Sequence, residues 1–424
     1  MDSDLFAMWN DSLPFFRWQG VVCGHRHPER VVSLNLKSLD LVGTIPPHLA
    51  NLTFLRTIDL SSNHFHGPIH QELSRLPHLQ YIELSHNSLS GIIPSELSHC
   101  LGLQAIKLSY NMLGGYIPSG FGSLPSLYYI NLMNNSITGQ IPVSLSNATS
   151  LKYLGLSGNP LSRGIPASLG KLFVLKFLGL GANNLEGSIP PSIWNLSSLV
   201  TLFLSFNQLQ GSLPKDLDQA LPHIEFLIVN TNKMHGSLPI SLSNASQLSH
   251  IELSDNNFSG RIPPNLGSLR HLYFLTLFNN QLEARKPIDW SFLTSLSNCT
   301  ILETLEIHKN NLGGLLPKSI ANISTTLQVL TMYNNSIEGS IPPGIGNLVN
   351  LMVLSLGNNF LSGSIPASIK LLKNLNILEL SSNNFSGEIP STVGKLSQLN
   401  QLYLDFNSFS EVSQPTLAIE SLWH

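Results

Sequence analysis

Apolar and polar positions along this chain follow one phrase that returns every 24 residues with little drift. The phrase reads Leu-x-x-Leu-x-Leu-x-x-Asn-x-Leu-x-Gly-x-Ile-Pro, and sixteen copies of it follow one another. Only three steps depart from 24, with 25, 30 and 25 residues. A fixed period of this kind predicts a solenoid, in which each copy is one coil that packs against its neighbours. The copies begin at Val31, Leu55, Leu79, Leu103, Leu127, Leu151, Leu175, Leu199, Ile224, Leu248, Leu272, Leu302, Leu327, Leu351, Leu375 and Leu399.

The positions within one phrase have separate physical roles. Between Leu79 and Asn87 the apolar side chains are expected to point inward from a short strand, and the residues between them outward. The recurring Asn is predicted to satisfy backbone groups of adjacent coils with its buried amide. The Gly and Pro that follow are predicted to end the strand before a short helical turn such as Ser95 to Leu97. The outward set in this copy is Gln80, Tyr81, Glu83, Ser85 and His86.

The ending Leu-x-Gly-x-Ile-Pro resembles the plant extracellular class of leucine-rich repeats, over a range from Leu5 to about Asn407. The expected fold is an α/β solenoid, a curved right-handed superhelix with a parallel β-sheet on the concave side. Short helical or 3-10 turns are expected on the convex side. The predicted organisation is a partial N-terminal cap at 1–30, sixteen repeats at 31–410 with an irregular eleventh repeat at 272–301, and a degenerate tail at 411–424.

Two longer segments narrow the resemblance. Residues 289–299 read Asp-Trp-Ser-Phe-Leu-Thr-Ser-Leu-Ser-Asn-Cys, and residues 311–322 read Asn-Leu-Gly-Gly-Leu-Leu-Pro-Lys-Ser-Ile-Ala-Asn. Both look like the ectodomain of the plant receptor-like kinases that include the flagellin, elongation-factor and rice blight-resistance receptors. The resemblance implies recognition of a peptide or protein at the cell surface in immune or developmental signalling. It also implies a shorter leucine-rich repeat co-receptor as a partner near the C-terminal coils.

The N-terminal segment resembles the capping domain of this family but lacks one of its cysteines. The run from Trp18 to Cys23 matches part of the Cys-x-Trp-x-Gly-Val-x-Cys segment that closes a disulfide in the family, and Phe16 stands where the first cysteine would be. Cys23 is therefore predicted to lack its usual partner. Cys100 and Cys299 lie too many coils apart to bridge, and both are predicted to be free and buried.

Composition and missing motifs exclude several classes of function. Hydrophobic residues make up 42% of the chain and charged residues 11%, which is too apolar for disorder. No apolar run approaches the roughly 20 residues of a membrane helix. The formal net charge of -3 offers no large basic surface, so we expect no nucleic-acid partner. We also expect no cofactor and no catalytic site, because no hydrolase, metalloprotease or kinase signature occurs.

Two groups of histidines are the candidates for a metal site. His25 and His27 lie near Cys23, in a predicted surface link between the cap and the first coil. A second group shares one turn region, with no carboxylate or cysteine at ligand spacing. Solvent-facing histidines without a metal are expected in both places. The second group is His64, His66 and His70.

The ends of the sequence depart from the family pattern. Residues Met1 to Asp4 lack the basic start and apolar stretch of a secretory signal, and the last coil decays after Asn407 without a paired-cysteine cap. From these departures we expect a truncated product or a fragment, and only the resemblance implies the cell surface. If the chain is secreted, its Asn-x-Ser/Thr motifs become candidate glycosylation sites. Besides Asn10, they are Asn51, Asn134, Asn147, Asn195, Asn244, Asn257, Asn298, Asn322, Asn334 and Asn384.

The outward strand positions, where the phrase leaves the residue type free, carry many aromatic side chains. Aromatic residues on a concave sheet are large, stiff anchors for a ligand, although Tyr and Phe also favour strands for packing alone. Lysines in the earlier coils and carboxylates in the later ones are a second feature, which would set a peptide in register. The predicted ligand-binding residues are Tyr81, Tyr110, Tyr129, Lys152, Tyr153, Lys176, Phe177, Phe203, Phe206, Phe226, Glu252, Phe274 and Phe278.

The sequence thus favours a ligand-recognition ectodomain of a receptor-like kinase that binds a peptide or protein on its concave face. Two alternatives stay open: a stand-alone secreted inhibitor or decoy, and a truncated paralogue without a present role. The number of coils favours the receptor, because the secreted plant inhibitors of this repeat class have fewer of them.

Overall fold

The computed structural model describes Trp9 and residues 13–410. The chain forms two compact units, residues 1–209 and 210–424. The predicted tail at 411–424, the motif at Asn10 and most of the segment before Leu13 lie outside the described residues. Across Trp9 and 13–410, no helix has the length and apolar character needed to cross a membrane.

In the first unit, one strand of each coil pairs in parallel with the equivalent strand of the next coil. These strands, β2, β4, β6, β8, β10, β11, β13 and β15, form a long sheet. Strand β1 pairs antiparallel with β2 and supplies hydrogen-bond partners to the edge of the sheet. The strands are β1 Val21–Cys23, β2 Val31–Asn35, β3 Val42–Thr44, β4 Thr57–Asp59, β5 His64–Pro68, β6 Tyr81–Glu83, β7 Ser88–Ile92, β8 Ala105–Lys107, β9 Met112–Gly114, β10 Tyr129–Asn131, β11 Tyr153–Gly155, β12 Ser162–Arg163, β13 Phe177–Gly179, β14 Asn184–Ser188 and β15 Thr201–Phe203.

The second unit repeats this arrangement with β17, β19, β21, β23, β25, β27, β29 and β31 as its long parallel sheet. Strand β16, Gln208–Gly211, contains the division between the units. The later strands are β17 Phe226–Ile228, β18 Lys233–Ser237, β19 His250–Glu252, β20 Asn257–Arg261, β21 Phe274–Thr276, β22 Gln281–Ala284, β23 Thr304–Glu306, β24 Asn311–Leu315, β25 Val329–Thr331, β26 Ser336–Gly339, β27 Val353–Ser355, β28 Phe360–Gly363, β29 Ile377–Glu379, β30 Asn384–Gly387, β31 Gln401–Tyr403 and β32 Ser408–Phe409.

Short helices complete the coils, as the sequence predicts. Most are single 3-10 turns that begin directly after the Pro of the phrase. Two short α-helices occur in the second unit, α1 Leu217–Ala220 and α2 Ser291–Leu296. The 3-10 helices are Phe15–Arg17, Pro47–Asn51, Gln71–Arg75, Ser95–His99, Ser119–Ser123, Val143–Asn147, Ala167–Lys171, Ile240–Asn244, Leu266–Ser268, Pro287–Trp290, Lys318–Asn322, Pro343–Asn347, Ala367–Leu371 and Ser391–Lys395.

The apolar positions of the phrase form the core within each unit. Leu79, Ile82 and Leu84 are fully buried, and Ile82 lies in register with Ile106 of the next coil. Each coil thus stacks its aliphatic side chains on those of its neighbours. The predicted α/β solenoid of leucine-rich repeats is confirmed.

The recurring Asn forms a ladder of amide hydrogen bonds, as predicted. Asn159 is buried, and its Oδ1 accepts the backbone N–H of Ile137 at 3.0 Å. Its Nδ2 donates to the carbonyl oxygens of Leu132 and Leu156, both at 3.0 Å. One side chain therefore satisfies backbone groups of two successive coils, where an unpaired buried group would cost about 1–3 kcal/mol.

The prediction that Ser85 faces outward is wrong. Ser85 is buried, because the equivalent serine of the next coil lies against it. The hydroxyl of Ser109 donates to the hydroxyl of Ser85 at 3.0 Å. A small polar residue at this position therefore belongs to the interior of the stack.

The extra residues of the eleventh repeat fold into helix rather than looping out. They form the 3-10 helix Pro287–Trp290 and the α-helix Ser291–Leu296. Trp290 packs inside, with 2% of its surface exposed, and its indole N–H donates to the carbonyl of Gly313 at 3.0 Å. The carboxylate of Asp289 accepts the backbone N–H groups of the two residues before the 3-10 helix, which lowers its pKa. The insertion is thus a built part of the core.

Candidate functional site

The surface considered for binding is the sheet face, formed in each unit by the side chains at the second, third, fifth, seventh and eighth positions of the repeats. Positions are counted from the first apolar residue of the phrase. In strand β11, for example, Tyr153 is the third position and Gly155 the fifth. Parallel register places equal positions of neighbouring coils side by side, so each position forms a column across the face.

In the first unit, the third-position column contains a stack of three aromatic rings. Tyr129 and Tyr153 have ring centroids 4.2 Å apart with planes inclined by 8°, and Tyr153 and Phe177 are 4.2 Å apart with planes inclined by 5°. This spacing is close to the roughly 4.8 Å between neighbouring strands. One ring per strand therefore builds a continuous stack, which we call the tyrosine ladder.

Two glycines leave room for the rings of the tyrosine ladder. A Cβ at Gly155 would lie 2.9 Å from Cε1 of Tyr153, and a Cβ at Gly179 would lie 2.6 Å from Cε1 of Phe177. Both rings therefore lean along their own strand over the fifth position, where only a hydrogen atom faces them. The sequence placed these rings on the outward face but gave no sign that glycine supports them.

The tyrosine ladder is half-buried and electrically neutral at its centre. Burial raises the pKa of Tyr153 well above its usual range, and neighbouring Tyr129 adds to the shift. At one end, the ammonium of Lys107 lies 5.4 Å from the ring centroid of Tyr129 and 3.2 Å from a carboxylate oxygen of Glu83. The ladder thus offers a ligand an apolar strip with an ion pair at one end.

Other predicted residues of the first unit are not part of this ladder. Tyr81 instead donates its hydroxyl to Oε1 of Gln104 at 2.6 Å. The ring of Phe203 lies against Gly181, where an added Cβ would be 2.5 Å from its Cε1. The predicted lysines of this unit are both solvent-exposed, in the second-position column beside the ladder. They are Lys152 and Lys176.

Tyr110 and Phe206 occupy the eighth position, where the chain turns with a left-handed backbone. Their φ angles are 55° and 54°, and 51% and 57% of their surfaces are exposed. A non-glycine residue costs about 1–2 kcal/mol in that conformation. Tyr110 also stacks on His86 at 4.4 Å. Two bulky aromatic side chains are therefore held in solvent at strained positions.

The second unit carries two shorter stacks of rings. In the third-position column, His250 stacks on Phe274 at 4.3 Å with a tilt of 2°, and Phe226 lies 5.9 Å from His250. In the seventh-position column, His308 stands between Phe278 at 4.4 Å and Tyr333 at 4.1 Å. We call the two stacks the histidine ladders, because each contains a histidine ring.

The imidazole of His308 is neutral at physiological pH. Burial, reinforced by the nearby charge of Lys309, lowers its pKa to about 4. Its Nδ1 is 2.8 Å from the hydroxyl of Thr331. The predicted residue Glu252 lies next to the other histidine, with a carboxylate oxygen 2.5 Å from Nε2 of His250.

Sequence reasoning missed three rings of the histidine ladders. His250, His308 and Tyr333 occupy the same outward columns as the predicted aromatic residues. Two of them are histidines, which a pattern of Tyr and Phe does not include, and Tyr333 lies beyond the eleventh coil. Reading each column separately, with histidine included, would have found all three.

All ten candidate glycosylation asparagines in the described ranges are exposed. Five of them end or directly follow a short helix or helical turn. Asn134 and Asn334 instead occupy the eighth position, with φ of 52° and 56°. The motifs thus lie at several places around a coil, and their modification stays a prediction.

The statement that no carboxylate lies near the histidines at 64, 66 and 70 is wrong. Nε2 of His64 is 2.6 Å from Oδ1 of Asp40, which the preceding coil supplies. Spacing along the chain could not reveal this pair, because the contact joins two coils. Within Trp9 and 13–410, no group of three or more His, Cys, Asp or Glu side chains is arranged to hold a metal ion.

All three cysteines are free. Cys100 and Cys299 are fully buried, as expected, and burial raises the pKa of each thiol to about 11. Cys23 is part of strand β1 and is partly exposed. None of the three thiols contributes to the sheet face described above.

Family models confirm the repeat assignment. Two models described as leucine-rich repeat match the chain and together cover more than half of it. One matches residues 53–113 and 117–161, and the other matches 174–196, 198–220, 247–269, 301–323, 326–348, 350–372 and 374–396.

The chain is also similar to plant receptor kinases. It is 46% identical over 85 residues to the receptor kinase-like protein Xa21 of rice, a match that covers 20% of this chain and 8% of that protein. The aligned part thus spans less than a tenth of that relative.

Among solved structures, the PEPR1–AtPEP1 complex is 30% identical with a TM-score of 0.74, covering 96% of this chain and 69% of that one. The Arabidopsis receptor kinase HAESA, in complex with the peptide hormone IDA and the co-receptor SERK1, is 27% identical with a TM-score of 0.54. It covers 96% of this chain and 87% of that one. The chain belongs to the leucine-rich repeat family, and its fold is that of a receptor-kinase ectodomain.

Proposed function

We propose that this chain is the ligand-recognition ectodomain of a plant cell-surface receptor-like kinase and that it binds an extended peptide or protein segment on the sheet face. The observation that carries the proposal is the pair of aromatic arrays, the tyrosine ladder and the histidine ladders. They stand at positions where the residue type varies from coil to coil, whereas the apolar and Asn positions of the phrase build the core.

The ladders have the physical properties of a binding surface. Stacked rings are already ordered, so a ligand that lies on them costs little side-chain entropy. Aromatic anchors carry a large share of binding energy in interfaces.

The similar structures support the same class of ligand. One is a complex of PEPR1 with AtPEP1, and another holds a peptide hormone together with a co-receptor. By analogy, the partners proposed for this chain are a peptide ligand and a shorter leucine-rich repeat co-receptor, at the plasma membrane. The kinase activity of the relatives is not proposed for these residues.

The test is selection from a phage-displayed library of random peptides on the purified chain. The test variant replaces Phe177, Phe203 and Phe226 by Ala together. The control variant replaces three exposed aromatic residues that lie off the sheet face, Phe173, Phe360 and Tyr116, by Ala. We expect enriched peptides to lose binding to the test variant and to keep it with the control, with unchanged circular dichroism in both.

The proposal is overturned if no peptide is enriched on the folded wild-type chain. It is also overturned if enriched peptides bind the sheet-face variant as well as they bind the wild type. Loss of binding in the control variant alone would move the binding surface to the flank of the coils.

A further inference from the structure

A short acidic trough lies between the two histidine ladders of the second unit. Its floor is the fifth-position column, where parallel register places Glu252, Thr276, Glu306 and Thr331 side by side on four successive strands. The strands are about 4.8 Å apart, so the two glutamates start roughly 10 Å from each other, with Thr276 between them. Carboxylates and hydroxyls thus alternate along the trough.

Aromatic rings border the trough on both sides. The third-position column supplies the stacked pair His250 and Phe274. The seventh-position column supplies Phe278, His308 and Tyr333. The rings exclude water from the carboxylates between them, which strengthens the interaction of those carboxylates with a cation.

The negative charge in the trough lacks a full basic counterpart. Glu252 is paired with the ring of His250 at 2.5 Å. Among Trp9 and 13–410, no lysine, arginine or histidine forms an ion pair with Glu306. Burial raises the pKa of Glu306, and the charge of Glu252 raises it further, whereas a hydrogen bond from Thr331 opposes the shift. A cation placed here would relieve both unfavourable effects.

A buried hydroxyl in the same column is also unsatisfied. Thr276 is 97% buried, with 3% of its surface exposed, and its Oγ1 has no hydrogen-bond partner. Polar groups buried in this way are nearly always paired in folded proteins. Because Thr276 lies between Glu252 and Glu306 in the register, an N–H group held by the glutamates is placed to supply the missing partner.

We propose that this trough is the subsite for an arginine side chain of the peptide ligand. A guanidinium presents several N–H donors in one plane, so it can bond to carboxylates and to a hydroxyl at the same time, with the aromatic rings on both sides shielding it from water. The lowered pKa of His308 keeps that ring neutral and free of competing charge. The proposal rests on the proposed function, because it takes the arginine to be part of a peptide ligand. The trough itself can be tested without a peptide.

The direct test uses two small probes, acetyl-arginine amide and its neutral isostere acetyl-citrulline amide, with saturation-transfer NMR on the purified chain at pH 7. We expect transfer to the arginine probe and much less to the citrulline probe. The variant Glu252→Gln with Glu306→Gln is expected to bind the arginine probe about tenfold more weakly, because a charge-assisted hydrogen bond is lost. The matched control is Glu338→Gln, an exposed carboxylate on strand β26, away from the trough.

Thr276→Val supplies a second variant that keeps the shape of the side chain. It is expected to fold at least as well as the wild type and to weaken arginine binding. Equal signals from arginine and citrulline, or full binding by the double glutamine variant, would overturn the subsite.

The two proposals fail separately. If the enriched peptides lack arginine and the NMR experiment shows no arginine-specific saturation transfer, the recognition function stands and the subsite is overturned. Arginine-specific transfer that depends on Glu306, with no enriched peptide, would keep the subsite and remove the peptide-receptor function.

Discussion

The fifth-position column differs between the tyrosine ladder of the first unit and the trough of the second. In the first unit, Gly155 and Gly179 leave space over which the rings of Tyr153 and Phe177 lean along their own strands. In the second unit, the same column carries Glu252 and Glu306, and the rings stand beside it as separate ladders. The backbone register is the same in both. One residue per strand therefore decides whether the face is an apolar strip or a charged trough.

The largest effect on stability is expected when a side chain fills the space beneath the rings of the tyrosine ladder. Gly179→Val would place atoms within 2.6 Å of the Phe177 ring and force that ring off its stack. We expect a loss of about 2–3 kcal/mol in the free energy of unfolding, measured by urea denaturation.

The matched control is Thr276→Val, at the same position of the second unit. Here the change removes an unsatisfied hydroxyl, so stability should hold or rise by about 1 kcal/mol. Equal losses of stability in the two variants would show that the fifth position has the same role in both units.

A second prediction concerns the pH dependence of stability, to which His308 should contribute and the tyrosine ladder should not. Because the folded-state pKa of His308 is about 4 and its usual value is 6.5, the unfolded chain takes up the proton first as the pH falls. The stability that this histidine contributes is present above pH 6.5 and is lost progressively as the pH falls toward 4. Tyr153, at the centre of the tyrosine ladder, has a raised pKa and does not titrate in that range.

The variant His308→Phe keeps the ring stack and removes the titrating group. Its melting temperature should fall less than that of the wild type between pH 7 and pH 4, a difference of about 1–2 kcal/mol in stability at pH 4. A wild-type-like pH dependence in the variant would assign the effect to other groups.

The smallest effect on stability is expected at the eighth position. Phe206 adopts a φ of 54°, a conformation that is less costly for glycine than for alanine. We expect Phe206→Gly to be more stable than Phe206→Ala by about 0.5–1 kcal/mol in urea denaturation. Both variants should bind enriched peptides equally weakly, since both lack the ring. A stability order reversed from this would contradict the strain at Phe206.

The repeated core could be predicted from the sequence almost completely, because each coil faces the same packing requirements. The buried leucines and the amide ladder of Asn159 follow from the phrase alone. The inward placement of Ser85 did not, since it depends on how the next coil covers the bend. The helical form of the eleventh repeat was also missed, because no neighbouring copy shows where extra residues pack.

The sequence predicted which columns of the sheet face carry the candidate site residues. It did not predict which of those side chains contact one another. The sequence identified Tyr153 and Phe177 as outward residues, and the structure adds that they stack and that glycine supports them. The trough around Thr276 required register between distant positions and an account of which hydroxyl lacks a partner. Neither is visible in residue type or spacing within one coil.

The amide ladder also bears on how such a surface changes over evolutionary time. Because Asn159 and its equivalents hold the coils together from the inside, a ring on the outside touches only the two coils next to its own. A substitution there alters a local patch and leaves the fold unharmed. For the proposed receptor function, this means that specificity can change one coil at a time without loss of the fold.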